Sequence, residues 1–488
     1  MENDIEEIKK RGALSAGSLF FQSSFSAALG FAAFFILTIK SGMYLLGVYN
    51  TVLAMMSFFN YFTDLGLGAA IIQKPKLEEI DLSTVFIIQF VLSIVTMVAG
   101  YFLTGYLFKF YKDLPHSAVY LYWSILFSFF FLSMKTVPSV LLEKKIKIYK
   151  VVTVQLIENI IFYLCVIVFS LLGYDIYSLI IAVIAQSIVG TVMIYFMQPW
   201  MPKFKFSWKS AKALLSFGIP FQGNSFLSFL KDDLLIIYLG GAIGFKDLGI
   251  VVFAKKYAEF SIRLISDNLN RVAFPIFSNF QKQKDWLKKS IEKILFYENF
   301  MIFPAIVGAM FVFGAVLKVI PGYYDKWHLA LFSFYFFSLS ALFVSIYSPF
   351  INLFNAVGKI KTTLLFMIVW IALTWILVPP SIVVMGYNGV SLAFFIMSLT
   401  FIFVLIQAKK SAEFSLSAAY KEPALATLAM TLFIGIAYFV FNKIIVNNYL
   451  YLISAIVGGA GVYLLAIYLQ KGKGFVSELV GLLRFKKL

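Results

Sequence analysis

Residues 84–108 read TVFIIQFVLSIVTMVAGYFLTGYLF, 25 consecutive positions with no charged side chain. At 1.5 Å per residue such a helix spans the roughly 30 Å hydrocarbon core of a bilayer, which takes about 20 apolar residues. Outward from it, the same reading finds stretches at 14–39, 44–66, 117–142, 151–172, 176–198 and 213–239. Seven more follow at 248–272, 292–318, 328–354, 361–378, 388–408, 423–441 and 449–470, the first of them the most polar. The expectation is an all-α integral membrane protein of about 14 transmembrane helices. Pro138, Pro220, Pro304 and Pro349 fall inside these stretches and mark candidate bends, which membrane helices tolerate where neighbours satisfy the freed backbone.

Composition agrees. Apolar residues make up 61% of the chain, charged residues 13%, and the mean hydropathy is +0.89, far from a water-exposed domain. The net charge of +17 is not a nucleic-acid footprint, because the basic residues lie between apolar runs and not on one face or tail. Cys165 is alone, inside the run 160–172, and reads as a packing residue; His116 and His328 lie in separate loops. Neither a disulfide framework nor a zinc site is expected. Residues 1–11 are charged, and the apolar segment after them is too long for a signal-peptide core, so it is read as the first helix.

Positive loops are retained in the cytoplasm. With the N-terminus inside, the cytoplasmic segments carry 29 Lys and Arg against 7 on the opposite side. Both termini are therefore predicted cytoplasmic, and 474–488 reads as a basic amphipathic tail on the inner membrane surface.

The chain also repeats. Phe21-Gln22 matches Phe221-Gln222 at an offset of 200, and Leu46-Gly47 matches Leu248-Gly249 at 202. Asp64 in TDLGLG matches Asp267 in SDNLNR at 203, Pro138 matches Pro349 at 211, and His116 matches His328 at 212. So slow a drift points to a duplicated six-helix unit with loop insertions. Six being even, both copies enter the membrane in the same direction, which predicts two parallel six-helix repeats facing a central cleft, the layout of alternating access. The divisions expected are a first bundle over 1–212, a second over 213–410, and two extra helices with the tail over 411–488.

The two repeats plus two helices, together with Phe62-Thr-Asp-Leu-Gly-Leu-Gly-Ala-Ala-Ile-Ile-Gln73, resemble the Wzx-type polysaccharide flippases of the multidrug/oligosaccharidyl-lipid/polysaccharide exporter superfamily. The resemblance covers nearly the whole chain. It implies flipping of isoprenoid-pyrophosphate-linked oligosaccharide from the inner to the outer leaflet of the cytoplasmic membrane, for cell-surface polysaccharide assembly. A Na⁺- or H⁺-coupled multidrug exporter and a lipid II flippase share the superfamily and are the alternatives. Lipid-linked oligosaccharide and membrane lipids are the partners implied, polysaccharide assembly proteins are further candidates, and nucleic acid is not expected. The working unit is expected to be a monomer without cofactor, with coupling to an ion gradient left open. A membrane enzyme acting on the same carrier would need a large catalytic outer loop; the outer loops here run roughly 2–12 residues and hold no acid/base or nucleophile constellation.

Ionisable groups inside hydrocarbon are site hypotheses by default. Lys135 and Glu158 are equidistant from the turn between Glu143 and Lys150, so a hairpin sets them at one depth, either as an ion pair or with Lys135 lining the cleft. The seventh and eighth stretches carry Lys231, Asp232 and Asp233 against Lys255, Lys256, Glu259 and Arg263. Reflection about the turn near Gly244 sets Asp232 level with Lys255, and Glu259 is four residues from both Lys255 and Arg263. The excess of one cation suits a pyrophosphate, with Arg263 nearest mid-membrane; neutral pairing plus one snorkelling lysine is the other reading. Asp64, Gly66 and Gly68 form a helix-terminating turn, or a gate or hinge. Gln22 and Gln222, equivalent by the repeat, could hydrogen-bond sugar hydroxyls or join helices.

Overall fold

Long apolar runs become long helices because a lipid-facing backbone must satisfy its own N–H and C=O groups. The structure, a computed structural model, describes residues 2–111, 113–445 and 447–483, and every regular element among them is helical. The chain divides into two compact units, Met1–Val252 and Phe253–Leu488.

The first unit holds α1 (Glu2–Lys40), α2 (Met43–Asp64), α3 (Leu67–Gln73), α4 (Glu79–Phe110), α5 (His116–Lys144), α6 (Ile148–Leu171) and α7 (Asp175–Met197). Then come α8 (Trp208–Lys231), α9 (Asp233–Ala242) and the start of α10 (Gly244–Ala258). At 1.5 Å per residue α4 is about 48 Å long, more than a hydrocarbon core needs. Helices α6 and α7, α1 and α6, α5 and α7, and α4 and α5 pack pairwise into a bundle. One of its cores, Leu67, Ile71, Val85, Phe86, Val137 and Val140, joins α3, α4 and α5. The unit reaches past the repeat boundary at residue 212 because α8 packs on α3 and α4 and α9 packs on α2.

The second unit continues α10 and adds α11 (Phe260–Phe280), α12 (Lys284–Val319), α13 (Tyr323–Trp327), α14 (Leu331–Ala356) and α15 (Ile360–Met385). It ends with α16 (Asn388–Ser398), α17 (Phe401–Lys409), α18 (Leu416–Phe439), α19 (Asn448–Ile453) and α20 (Gly459–Leu483). Its main core gathers Phe277, Leu287, Ile291, Leu295, Phe350 and Phe354 from α11, α12 and α14. The two extra helices, α18 and α20, lie on α12 through Met430, Ile434 and Tyr463, and α19 between them through Tyr451. α20 changes direction at Gly472, φ 69°. The last five residues of the predicted tail, 484–488, lie outside the described residues.

Among the described residues twelve helical stretches are long and apolar enough to cross a membrane, so the chain is a multi-pass membrane protein, and the count of fourteen is not confirmed. The two that fall short are 213–239 and 248–272. Both are helical, but each is broken where its charges lie, at Asp232 between α8 and α9 and at Glu259 between α10 and α11.

Proline positions follow the rule for membrane helices. Pro138 in α5 cannot donate to the Met134 carbonyl, and Tyr195 Oη does so instead at 3.2 Å. In α12, Pro304 frees the Phe300 carbonyl, and Tyr463 Oη donates to it at 2.7 Å. The repeat also shows in the packing. A Cβ on Gly47 would overlap the Phe245 carbonyl, and a Cβ on Gly249 would overlap that of Met43. Met43 and Gly47 are offset by 202 from Phe245 and Gly249, so the packing is reciprocal, as a twofold relation produces.

Candidate functional site

In the first unit, α5 brings Lys135 to Glu158 on α6, with Nζ to Oε1 at 2.6 Å. The side chains are 19% and 11% exposed. Room for the carboxylate comes from Gly190 on α7, where a Cβ would overlap Glu158 Oε1. The pair lines a cavity of about 460 Å³ with Gln155, Thr136, Ser139 and Glu143. Leu132 and Thr136 also wall a second cavity, of about 280 Å³, with Asn60, Thr63 and Asp64 of α2, Gln89 of α4 and Ser133 of α5. Two adjoining cavities with polar side chains in their walls therefore lie in the first unit. A third cavity, of about 580 Å³, is walled by apolar and aromatic side chains, among them Met55, Phe58 and Phe59 of α2 with Tyr122 and Phe229.

Asp64 closes α2. The next two residues turn left-handed, Leu65 at φ 44° and Gly66 at φ 66°, and glycine is the residue that does so without strain. Gly66 is needed twice over, since a Cβ there would overlap the Gly218 carbonyl of α8. Gly68 faces Val140 and Thr136 of α5 at van der Waals distance. Gln22 and Gln222 are both half-buried, on α1 and α8.

The remaining charges sit at the helix breaks. Lys231 Nζ lies 3.5 Å from its neighbour Asp232. Lys256 is half-buried, and Asp233 begins α9. In the second unit Glu259 takes two cations from its own helical face, Lys255 at 3.8 Å and Arg263 at 3.4 Å. Lys255 Nζ also lies 4.4 Å from the Phe394 ring centroid, a cation–π arrangement. The Arg263 side chain is 63% exposed. The set thus offers cations held loosely at i, i+4 spacing on a helix that has just broken.

Several further buried polar groups stand apart from the charges already described. Gln89 is 2% exposed and its Oε1 has no hydrogen-bond partner. In the second unit Glu298 is fully buried on α12; Ser266 Oγ of α11 donates to its Oε1 at 2.5 Å, and its Oε2 is unpartnered. Asn299 and Asn270 each bury an unpartnered Oδ1. A Glu in the run ILFYENF is visible as an ionisable residue within a span; Gln89 carries no charge to flag it. Among the described residues no group of three His, Cys, Asp or Glu could hold a metal ion.

A family model described as a polysaccharide biosynthesis protein matches residues 45–331. The teichuronic acid biosynthesis protein TuaB of Bacillus subtilis strain 168 is 24% identical over 276 residues, 55% of this chain and 56% of that protein. The chain thus spans little more than half the length of that relative. The lipopolysaccharide biosynthesis protein WzxC of Escherichia coli K12 is 21% identical over 358 residues, 72% of this chain and 71% of WzxC. In fold, the chain is similar to the lipid II flippase MurJ in an inward closed conformation, with a TM-score of 0.74 and 18% identity over 95% of this chain and 99% of that one.

Proposed function

The chain belongs to the polysaccharide biosynthesis protein family, and from that premise we propose that it flips isoprenoid-pyrophosphate-linked oligosaccharide from the cytoplasmic to the outer leaflet by alternating access. The product feeds assembly of a cell-surface polysaccharide. The observation that carries this reading is the family match over residues 45–331; the names of TuaB and WzxC, and a fold shared with MurJ, point the same way. In this reading the protein works as a transporter and not as an enzyme, supported by outer loops of roughly 2–12 residues without an acid/base or nucleophile constellation. It resides in the cytoplasmic membrane with both termini inside, a reading supported by the asymmetry of 29 against 7 basic loop residues. The monomer is the working unit, with polysaccharide assembly proteins as partners.

In this reading the pyrophosphate meets Lys255, Lys256 and Arg263. Loose pairing leaves Lys255 and Arg263 able to exchange Glu259 for a stronger anion, and guanidinium binds phosphate oxygens in a fork. Gln22 and Gln222 meet sugar hydroxyls. Lys135 is tied to Glu158 at 2.6 Å and supplies no free charge. The test is the leaflet distribution of lipid-linked oligosaccharide in cells with and without the gene, read by a membrane-impermeant sugar probe. Loss of the gene is expected to trap the glycolipid on the inner face; an unchanged distribution would remove the flippase reading.

A further inference from the structure

We propose that the apolar cavity of about 580 Å³ in the first unit binds one chain of an anionic phospholipid, whose phosphate is met by Lys109. The inference does not rest on the substrate assigned above. Met55, Phe58 and Phe59 of α2, Leu107 of α4, Phe229 of α8 and Leu234 of α9 wall the cavity. Two tyrosines in the wall have their hydroxyls spent elsewhere: Tyr111 Oη donates to the Ile237 carbonyl at 2.8 Å, and Tyr122 Oη to that of Gly100 at 3.0 Å. Their rings offer carbon alone. The cavity is also open, since Leu103, Tyr106 and Phe110 of its wall are exposed.

A space lined by carbon does not hold water, and left empty it forfeits dispersion contacts along its walls. In a bilayer the filler at hand is a lipid chain. The headgroup follows from depth and charge. Tyr101, Tyr120 and Trp123 are exposed at this end of α4 and α5, with the Trp123 ring 5.8 Å from Tyr101 and 6.1 Å from Tyr120, and such Tyr and Trp clusters sit at headgroup level. Lys109 is exposed in the last turn of α4, its Nζ 5.6 Å from the Tyr106 ring centroid. Among the described residues it has no carboxylate at ion-pair distance. A lysine so placed lays its stem on apolar surface and its ammonium among lipid phosphates. One lysine balances the single charge of a phosphodiester. A pyrophosphate on an isoprenoid chain carries more charge and calls for more cations, and a zwitterionic headgroup brings an ammonium of its own. Phosphatidylglycerol is the headgroup that matches. Its chain would bridge α2 and α4 to the two helices that meet at Asp232.

The test is photo-crosslinking of the purified full-length chain in lipid nanodiscs by a phosphatidylglycerol with a diazirine on one chain, the labelled positions read by peptide mass spectrometry. Helix α15, whose Leu365 and Ile376 are exposed, reports contact with bulk lipid. Label is expected on residues 55–59 and 226–237 in excess of α15, and unlabelled phosphatidylglycerol should compete for it more strongly than phosphatidylethanolamine does. Lys109→Gln, at an exposed position, should lower that labelling roughly fivefold at sub-saturating probe, the effect of one basic residue at an anionic surface, and leave α15 unchanged. Met55→Trp, which fills the cavity, should lower it whatever the headgroup. Labelling no greater than that of α15, or labelling that Lys109→Gln does not alter, would overturn the proposal. So would stronger competition by a polyprenyl pyrophosphate, which would make the cavity part of the substrate's path. No transport is measured, so failure here is distinct from failure of the flippase reading.

Discussion

Lys135 and Glu158 meet at 2.6 Å inside the first unit, both largely buried, with Gly190 giving up its side chain to admit the carboxylate. Glu259 in the second unit is instead approached by Lys255 at 3.8 Å and Arg263 at 3.4 Å, on a helical face where Arg263 is 63% exposed. The first arrangement is short and, among the described residues, single-partnered, with both side chains largely buried. The second is long, shared and open, beside a helix break. Desolvation explains the division: a charge removed from water is held by its partner or destabilises the fold, whereas a half-exposed cation can change partners at little cost. The tight pair therefore reads as structure and the loose set as the group free to meet a ligand.

That contrast fails first at the tight pair if it is wrong. Glu158→Ala leaves Lys135 buried without a partner, which should cost about 3–5 kcal/mol. The effect is read as a large fall in unfolding temperature in detergent, or loss of folded yield. The double variant Lys135→Met, Glu158→Leu should recover most of it, because an apolar pair of similar volume owes no desolvation. Failure of the double variant to recover would mean that the charge itself is used. Next in size is Gly190→Ala. One added methyl overlaps the carboxylate, and overpacking of this kind costs about 1–3 kcal/mol. The same unfolding measurement on Gly190→Ala in the Lys135→Met, Glu158→Leu background should show a smaller cost, since the group it collides with has gone.

The two regions are unequally legible. Reflection about the turn between Glu143 and Lys150 puts Lys135 and Glu158 at one depth, and the side chains do meet, because a helical hairpin fixes depth without knowledge of rotation. For the helix breaks the same charges that mark a candidate site also spoil the regularity of the span, so Asp232 and Glu259 separate helices that hydropathy joins. Tyr195 on Met134 and Tyr463 on Phe300 lie beyond reach, although Pro138 and Pro304 announce the need for them. Which neighbour supplies a donor depends on helix rotation, and hydropathy is nearly blind to rotation when a helix is apolar all round. Gln89 escapes notice because an amide in a run of 25 uncharged residues carries no charge, while its cost shows only once burial is known. The matched glycines Gly47 and Gly249 speak for a duplication but not for the reciprocal packing they make.

The smallest effect on stability is expected at Arg263. Its side chain is mostly exposed, and its ion-pair contact among the described residues is with Glu259 at 3.4 Å, which Lys255 also approaches. Removing such a pair ordinarily changes stability by under about 1 kcal/mol. Arg263→Ala should therefore leave the unfolding temperature and membrane abundance close to those of the wild type. Transport should nevertheless be abolished, measured as outward appearance of lipid-linked oligosaccharide in cells that depend on this protein. Arg263→Lys sharpens the test: it keeps the charge but not the planar fork, so partial activity assigns the role to charge, and none assigns it to bidentate contact. Normal transport by Arg263→Ala would break the comparison from the other side, leaving the open charges of the second unit without the ligand role that their loose pairing implies.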